Sequence, residues 1–411
     1  MSASAMTVYY DPTCPQTQAD PYPVFSRLRK DDPVHWCEPL QAWLVTRYDD
    51  VVAMLRDEVF SAERLTPFFA RLPGAERARL SAVMRYLSAW MVFRDPPQHT
   101  RLRALAARAF LPGRIRYLES RIEALLDDLL SRTDLARFEL VETIAGPLPA
   151  LVIMDMLGVP AADMPAIKQW SDDLALFVGS AQATAGKYER AEAGARALAA
   201  YFKPLLDERR RKPREDLLSE MLAAAKTDSH SKASGSTDDE VVASAVLLLF
   251  AGHETTTHLI ANAVYHMVIQ EQPWRELAAD VTRAKHAVEE ALRFESPVMS
   301  LPRVVSAPFE FHGRQLQAGQ RVFAMVNSAN RDENIFDVPD RFDLSRRHSR
   351  HIGFGYGLHT CLGAPLARLE GTVALRVLAG RLPHLEYGGG APQWLDSMVF
   401  RGMQRLPLRA G

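Results

Sequence analysis

The sequence predicts a mainly α fold with small β elements, and three observations carry that expectation. Amphipathic segments with apolar residues at helical spacing occupy roughly 97–132, 140–157, 163–210, 237–270, 274–294 and 364–382. Strand-like text is confined to short patches at 41–47 and 309–323, the second with Gly313 and Gly319 as turn signals. Helical text also resumes directly after the low-complexity stretch at 227–236, which therefore reads as a mobile surface loop within a single domain spanning 1–411.

In chain order, residues 1–20 are polar and dotted with proline and read as an extended lead-in, 22–28 open the first amphipathic stretch, and a helix at 49–56 follows the 41–47 strand. Thr237-Asp-Asp-Glu240 is a capping box, in which Thr237 and Glu240 satisfy each other's free N–H groups at the start of a helix of about 33 residues, or ~50 Å. Its apolar run at 241–252 includes Ser244 and falls short of the roughly 20 residues a membrane span needs.

Charge and composition then narrow the function. With 49 basic against 50 acidic residues the net charge is −1, and the apolar share is that of an ordinary folded enzyme, so no nucleic-acid partner is expected. The N-terminus lacks a basic region followed by an apolar one, which with the cysteine usage points to the cytoplasm. Cys14, Cys37 and Cys361 are odd in number and far apart, the spacing of neither a disulfide framework nor a structural zinc site.

The chemistry concentrates near the C-terminus, where Phe354, Gly357, Cys361 and Gly363 stand at the spacing F-x-x-G-x-x-x-C-x-G. This run resembles the haem-thiolate loop of the cytochrome P450 superfamily. Gly357 permits a turn with positive φ, Gly363 lets backbone approach closely, and a helix starting just beyond Cys361 would favour a thiolate through its free N–H groups and dipole. The resemblance implies a P450 fold with haem b, one per chain, held between the long central helix and the cysteine loop. Cys361 would be the axial iron ligand, and Phe354, Gly355 and Gly363 would frame it.

Further motifs extend the resemblance in the family's order. Ala251-Gly-His-Glu-Thr-Thr lies in the central helix and is similar to the oxygen-groove signature; the Thr255 hydroxyl can bond the Ala251 carbonyl and open a local groove. The family implies that Thr255 steadies dioxygen and Glu254 relays protons. His253 and His258 are five apart, not the four that a helical zinc motif needs. Glu290 and Arg293 form an E-x-x-R pair. The helical wheel alone puts them opposite the apolar stripe, as a solvated pair; the resemblance implies a structural pair covered by 330–342. For the haem propionates the family pattern selects His99, Arg103, Arg303 and His359, with Ala251 against the haem face. By analogy Leu248, Ala251, Val298, Met299 and Phe400 line the substrate pocket.

The implied function is a soluble haem-thiolate monooxygenase of secondary metabolism. It would insert one oxygen atom from O2 into a medium or large apolar substrate, by hydroxylation or epoxidation. Electrons would come from a separate ferredoxin or flavodoxin with its NAD(P)H-dependent reductase. Arginines at 345–351, with Arg101, Arg108, Arg114 and Arg116, would form the docking surface. A hydrogen-peroxide-driven peroxygenase and a non-enzymatic haem carrier or sensor are the alternatives.

Overall fold

A computed structural model describes residues 8–179, 185–228, 237–346 and 350–411. At its centre runs one helix, Asp238–Ile269, buried on almost every side and capped as its sequence dictates. The Thr237 N–H donates to Glu240 Oε2 at 2.8 Å and the Glu240 N–H returns to Thr237 Oγ1 at 3.3 Å. A helix apolar all round belongs in a core. Around it pack Pro147–Leu157, Ala364–Arg381 and Lys187–Arg211. No described helix is long and apolar enough to cross a membrane.

The 163–210 segment divides into Met164–Gly179 and Lys187–Arg211, two helices that pack on each other. Their approach is close, since a Cβ on Gly194 would stand 2.8 Å from the Trp170 carbonyl oxygen. The 97–132 segment also breaks, into Gln98–Ala106 and Glu119–Ser131 with tighter turns between. Leu217–Asp228, which the sequence reading passes over, is helical and takes in 227 and 228 of the expected loop; the remainder of that loop lies outside the described residues. Pro15–Ala19 is a helical turn inside the stretch expected to be extended, with Pro15 pre-set for its first position.

The β structure is small. Five strands pair in the order Val34–Cys37, Ala42–Val45, Arg321–Ala324, Leu301–Val305, Phe60–Ser61, with the second and third parallel and the other pairs antiparallel. Both strand patches expected from sequence are in or beside this sheet. Leu301–Val305 delivers Arg303 toward the centre of the molecule, and the Tyr48–Arg56 helix brings its end against the cysteine loop.

Candidate functional site

Residues 354–363 form the loop that the glycine-framed motif marks. Gly355 and Gly357 take left-handed backbone angles, φ +73° and +71°. A Cβ on Gly357 would also stand 3.1 Å from the Leu55 carbonyl oxygen, so glycine alone fits there without strain. The Cys361 N–H donates to the Phe354 carbonyl at 2.9 Å and holds the sulfur just ahead of the Ala364–Arg381 helix. Burial pushes the Cys361 thiol above its ordinary value, and the Gly363 N–H, Arg103, the Ala364 N–H and Arg368 pull it back only in part. The two N–H groups at the helix end thus act toward the thiolate, as the sequence reading expects, against the cost of burial. Gly363 also differs from expectation: no backbone approaches it, and the single neighbour of a Cβ built there is Cys361 Sγ at 3.9 Å. Its missing side chain keeps space beside the sulfur clear.

Cys361 opens onto a cavity of about 270 Å³, many times the ~10–15 Å³ that one water occupies. Across the central helix, Leu247, Leu248, Ala251 and Thr255 face the same space, joined by Val298 and Phe400. Ala251 is exposed on a helix whose other apolar residues are mostly buried, because it points into this void. Thr255 Oγ1 donates to the Ala251 carbonyl at 2.8 Å within a helix that runs unbroken through this point. Glu254 turns away toward His258 Nε2 at 3.2 Å and toward Asp172 and His253. Burial acts to raise the Glu254 carboxyl, but His258, His253 and Lys168 outweigh it and hold it at about 2.

Met299 does not line the cavity. Val298 bridges to Phe400, and in extended chain the next side chain points to the opposite face, where Met299 packs with Met398, Phe25 and Leu28. Several wall residues escaped the sequence reading, among them Ile153, Val178 and Phe250, the last stacked on Trp90 with ring centroids 5.3 Å apart. Helical periodicity marks such residues as core without telling core from cavity wall.

One edge of the cavity is basic. His99, Arg103, Arg303 and His359 meet there, with the two imidazole centroids 4.2 Å apart. Burial and the neighbouring Arg303, His99 and Arg103 drive His359 down to about 3, and burial lowers Arg303 to about 10. Both ring nitrogens of His99 are buried without a hydrogen-bond partner.

Glu290 and Arg293 are 2 % and 0 % exposed, against the wheel's indication of a solvated pair. The chain at 330–343 covers them. Arg293 donates to both Glu290 oxygens and to the carbonyls of Asn330, Pro339 and Arg341. Asn330 then accepts the Ile352 N–H at 2.8 Å, which links this knot to the start of the cysteine loop. Arg346, expected on a docking surface, belongs to the same knot: its Nε lies 3.2 Å from Glu290 Oε2. Arg101 and Arg114 are likewise paired, with Glu240 and Glu220, and 347–349 lie outside the described residues.

A family model for cytochrome P450 matches residues 44–379 of this chain. The chain belongs to the cytochrome P450 superfamily. It is 37% identical to the cytochrome P450 monooxygenase PikC of Streptomyces venezuelae over 403 residues, 95% of this chain and 91% of PikC. With the vitamin D(3) 25-hydroxylase of Pseudonocardia autotrophica it shares 36% identity over 400 residues, 95% and 94% of the two chains. Among solved structures, CalO2 matches with a TM-score of 0.89 at 33% identity, covering 98% of this chain and 99% of CalO2. The protein is accordingly an oxidoreductase of the P450 monooxygenase type, and P450s carry haem on a thiolate. The residues here fit that group: orphaned His99 nitrogens and a basic edge suit two carboxylates, and a sulfur with clear space beside it suits an iron.

Proposed function

We propose that this P450 inserts one oxygen atom from O2 into a medium or large lipophilic molecule, with electrons delivered by separate redox proteins. The observation that carries the reading is that Cys361 and Thr255 share one cavity whose remaining walls are chiefly aliphatic and aromatic. Haem bound at Cys361 would supply the oxygen-activating chemistry, and the protein supplies ligation, protons and position. Cys361 would hold the iron, while His99, Arg103, Arg303 and His359 would hold the propionates. Leu248, Val298 and Phe400 bury apolar substrate surface and exclude water. Thr255 Oγ1, anchored on Ala251, presents a hydroxyl that accepts one proton and passes on another at the cavity wall. Glu254 stays ionised at neutral pH and collects protons from the side of Asp172, whose carboxylate is bonded to Lys168 Nζ at 2.7 Å. The vitamin D(3) 25-hydroxylase among its relatives is a precedent for a large lipophilic substrate.

The test is turnover of a lipophilic panel under ¹⁸O2 with NAD(P)H, a reductase and a ferredoxin. Product carrying one ¹⁸O supports the reading. Oxygenated product that forms from hydrogen peroxide alone, with no label from ¹⁸O2, would make the protein a peroxygenase instead.

A further inference from the structure

Arg64 stands immediately before the Leu65–Arg71 helix, and the residues ahead of it are clamped from outside. The Asp95 carboxylate accepts from Ser61 Oγ at 2.5 Å and from the Ala62 N–H at 2.9 Å, and Arg94 pairs with Glu63 at 3.1 Å. With those acids engaged, Arg64 lines the cavity, its guanidinium 4.3 Å from the Phe93 ring centroid. Among the described residues no carboxylate or carbonyl accepts a hydrogen bond from it. Burial lowers it to about 9 and Arg303 repels it; His359 feels its charge in turn. Arg64, Arg103, Arg303 and His359 line one cavity, so its basic side gathers three guanidiniums, and the one acid whose charge Arg303 feels, Asp95, is already engaged by Ser61 and Ala62. A guanidinium drawn partly out of water without a carboxylate is costly unless a ligand brings one.

We propose that Arg64 is a third arginine on the haem carboxylates, donating its fork to a propionate and so fastening the segment ahead of the Leu65–Arg71 helix to the cofactor. This rests on the haem-binding reading and goes beyond it by adding a cation from outside the family's propionate pattern. A substrate carboxylate offers the same chemistry. The coupling to Arg303 and His359 favours the propionate.

The experiment compares wild type, Arg64→Ala and Arg64→Lys as holoproteins, each carrying either haem or haem dimethyl ester. The readout is the rate at which haem passes to excess apomyoglobin. Arg64→Ala should release native haem about tenfold faster, the effect of one lost charge-assisted hydrogen bond. Arg64→Lys, which keeps the charge but not the fork, should fall between, and it carries the test if the alanine variant does not accumulate. The diester should erase the differences, and the ferric/ferrous potential should fall in Arg64→Ala because a cation near the iron is gone. Equal release of native haem, with weaker binding of lauric acid but not of 1-dodecanol, would make Arg64 a substrate anchor and overturn the proposal. An equal acceleration with the diester would reduce it to packing. If wild type itself holds no haem, the family reading fails, separately from Arg64.

Discussion

Arg293 and Arg303 stand close together in the sequence and both are nearly buried, yet their surroundings are opposite. Arg293 spends its donors on protein, two on Glu290 and three on the carbonyls of the chain that covers it. Arg303 has one acceptor, the carbonyl of its own neighbour Pro302 at 2.9 Å, and otherwise faces the cavity. A buried charge that is fully satisfied is part of the scaffold, whereas one left unsatisfied marks where a ligand of opposite charge belongs. The same fold thus uses one buried arginine to tie together the chain that leads to the cysteine loop and leaves another facing the cavity, where the proposed haem carboxylates would meet it.

The contrast is sharpest at Arg293, where the largest effect is expected. Arg293→Ala removes five hydrogen bonds of the knot and leaves Glu290 with only Arg346 and the Asp343 N–H, so stability should fall by about 3–5 kcal/mol, read from the urea midpoint and the folded yield. Arg293→Lys should not restore it, because an ammonium cannot serve a planar set of five acceptors. If Arg293→Ala proves no more destabilising than a change at Arg303, the distinction between the two collapses.

A second paired site tests the acid side. Glu295 accepts from Arg401 Nε at 2.7 Å and Tyr22 Oη at 2.5 Å, with His266 Nε2 3.0 Å away. Burial would raise its carboxyl, but Arg401, His266 and Arg331 outweigh it and hold it far below the usual carboxylate range. A depressed carboxylate stabilises the fold above its unfolded pKa and loses that contribution as pH falls toward the folded one. Glu295→Gln should therefore cost roughly 1–3 kcal/mol at neutral pH, a charge-assisted bond's worth. Denaturation curves of mutant and wild type should converge as pH drops below the ordinary carboxylate range. A constant gap across pH would show that the charge contributes nothing.

On the unpaired side the sign changes. Arg303→Leu removes a buried cation that no carboxylate bonds, so haem-stripped protein should be as stable as wild type or more so, while haem should leave about tenfold faster, equivalent to about 1.4 kcal/mol. Denaturant midpoints of stripped protein and haem transfer to apomyoglobin check the two halves separately. A stripped variant that is markedly less stable would mean that Arg303 is scaffold after all.

What the sequence reveals of this molecule is mostly local. The Thr237–Glu240 capping box, the Thr255–Ala251 bond and the turn at Gly357 depend on residues within a few positions of one another, and all three take the expected form. The burial of Glu290 and Arg293 depends on the chain at 330–343, which no helical wheel contains. Met299 was lost to the parity of an extended segment, since pairing at Val298 decides which face each neighbour takes. Arg64 carries no motif at all: only the clamping by Asp95, from another segment, places it at the cavity. Arg346 was misjudged for the same reason, its partner Glu290 being remote in sequence.

That misjudgement yields the smallest and last expected effect. Arg346 cannot test partner docking, because Arg346→Glu would set an acid against Glu290 and damage the knot itself. Arg108 and Arg116 are exposed, and among the described residues neither has a carboxylate partner. They flank the Pro112–Ile115 turn, which packs on the Ala364–Arg381 helix that follows the cysteine loop. They are therefore the arginines free to steer an acidic ferredoxin or flavodoxin toward that side. Arg108→Glu with Arg116→Glu should change stability by less than about 0.5 kcal/mol, as surface substitutions do. The first-electron reduction rate should nevertheless drop severalfold at low salt and lose most of its dependence on ionic strength, because charges farther apart than ~10 Å are screened at 0.1 M. Stopped-flow reduction across a salt series reads both quantities. If the double variant keeps the wild-type salt slope, the partner approaches over another face, and the unpaired surface arginines serve only solvation.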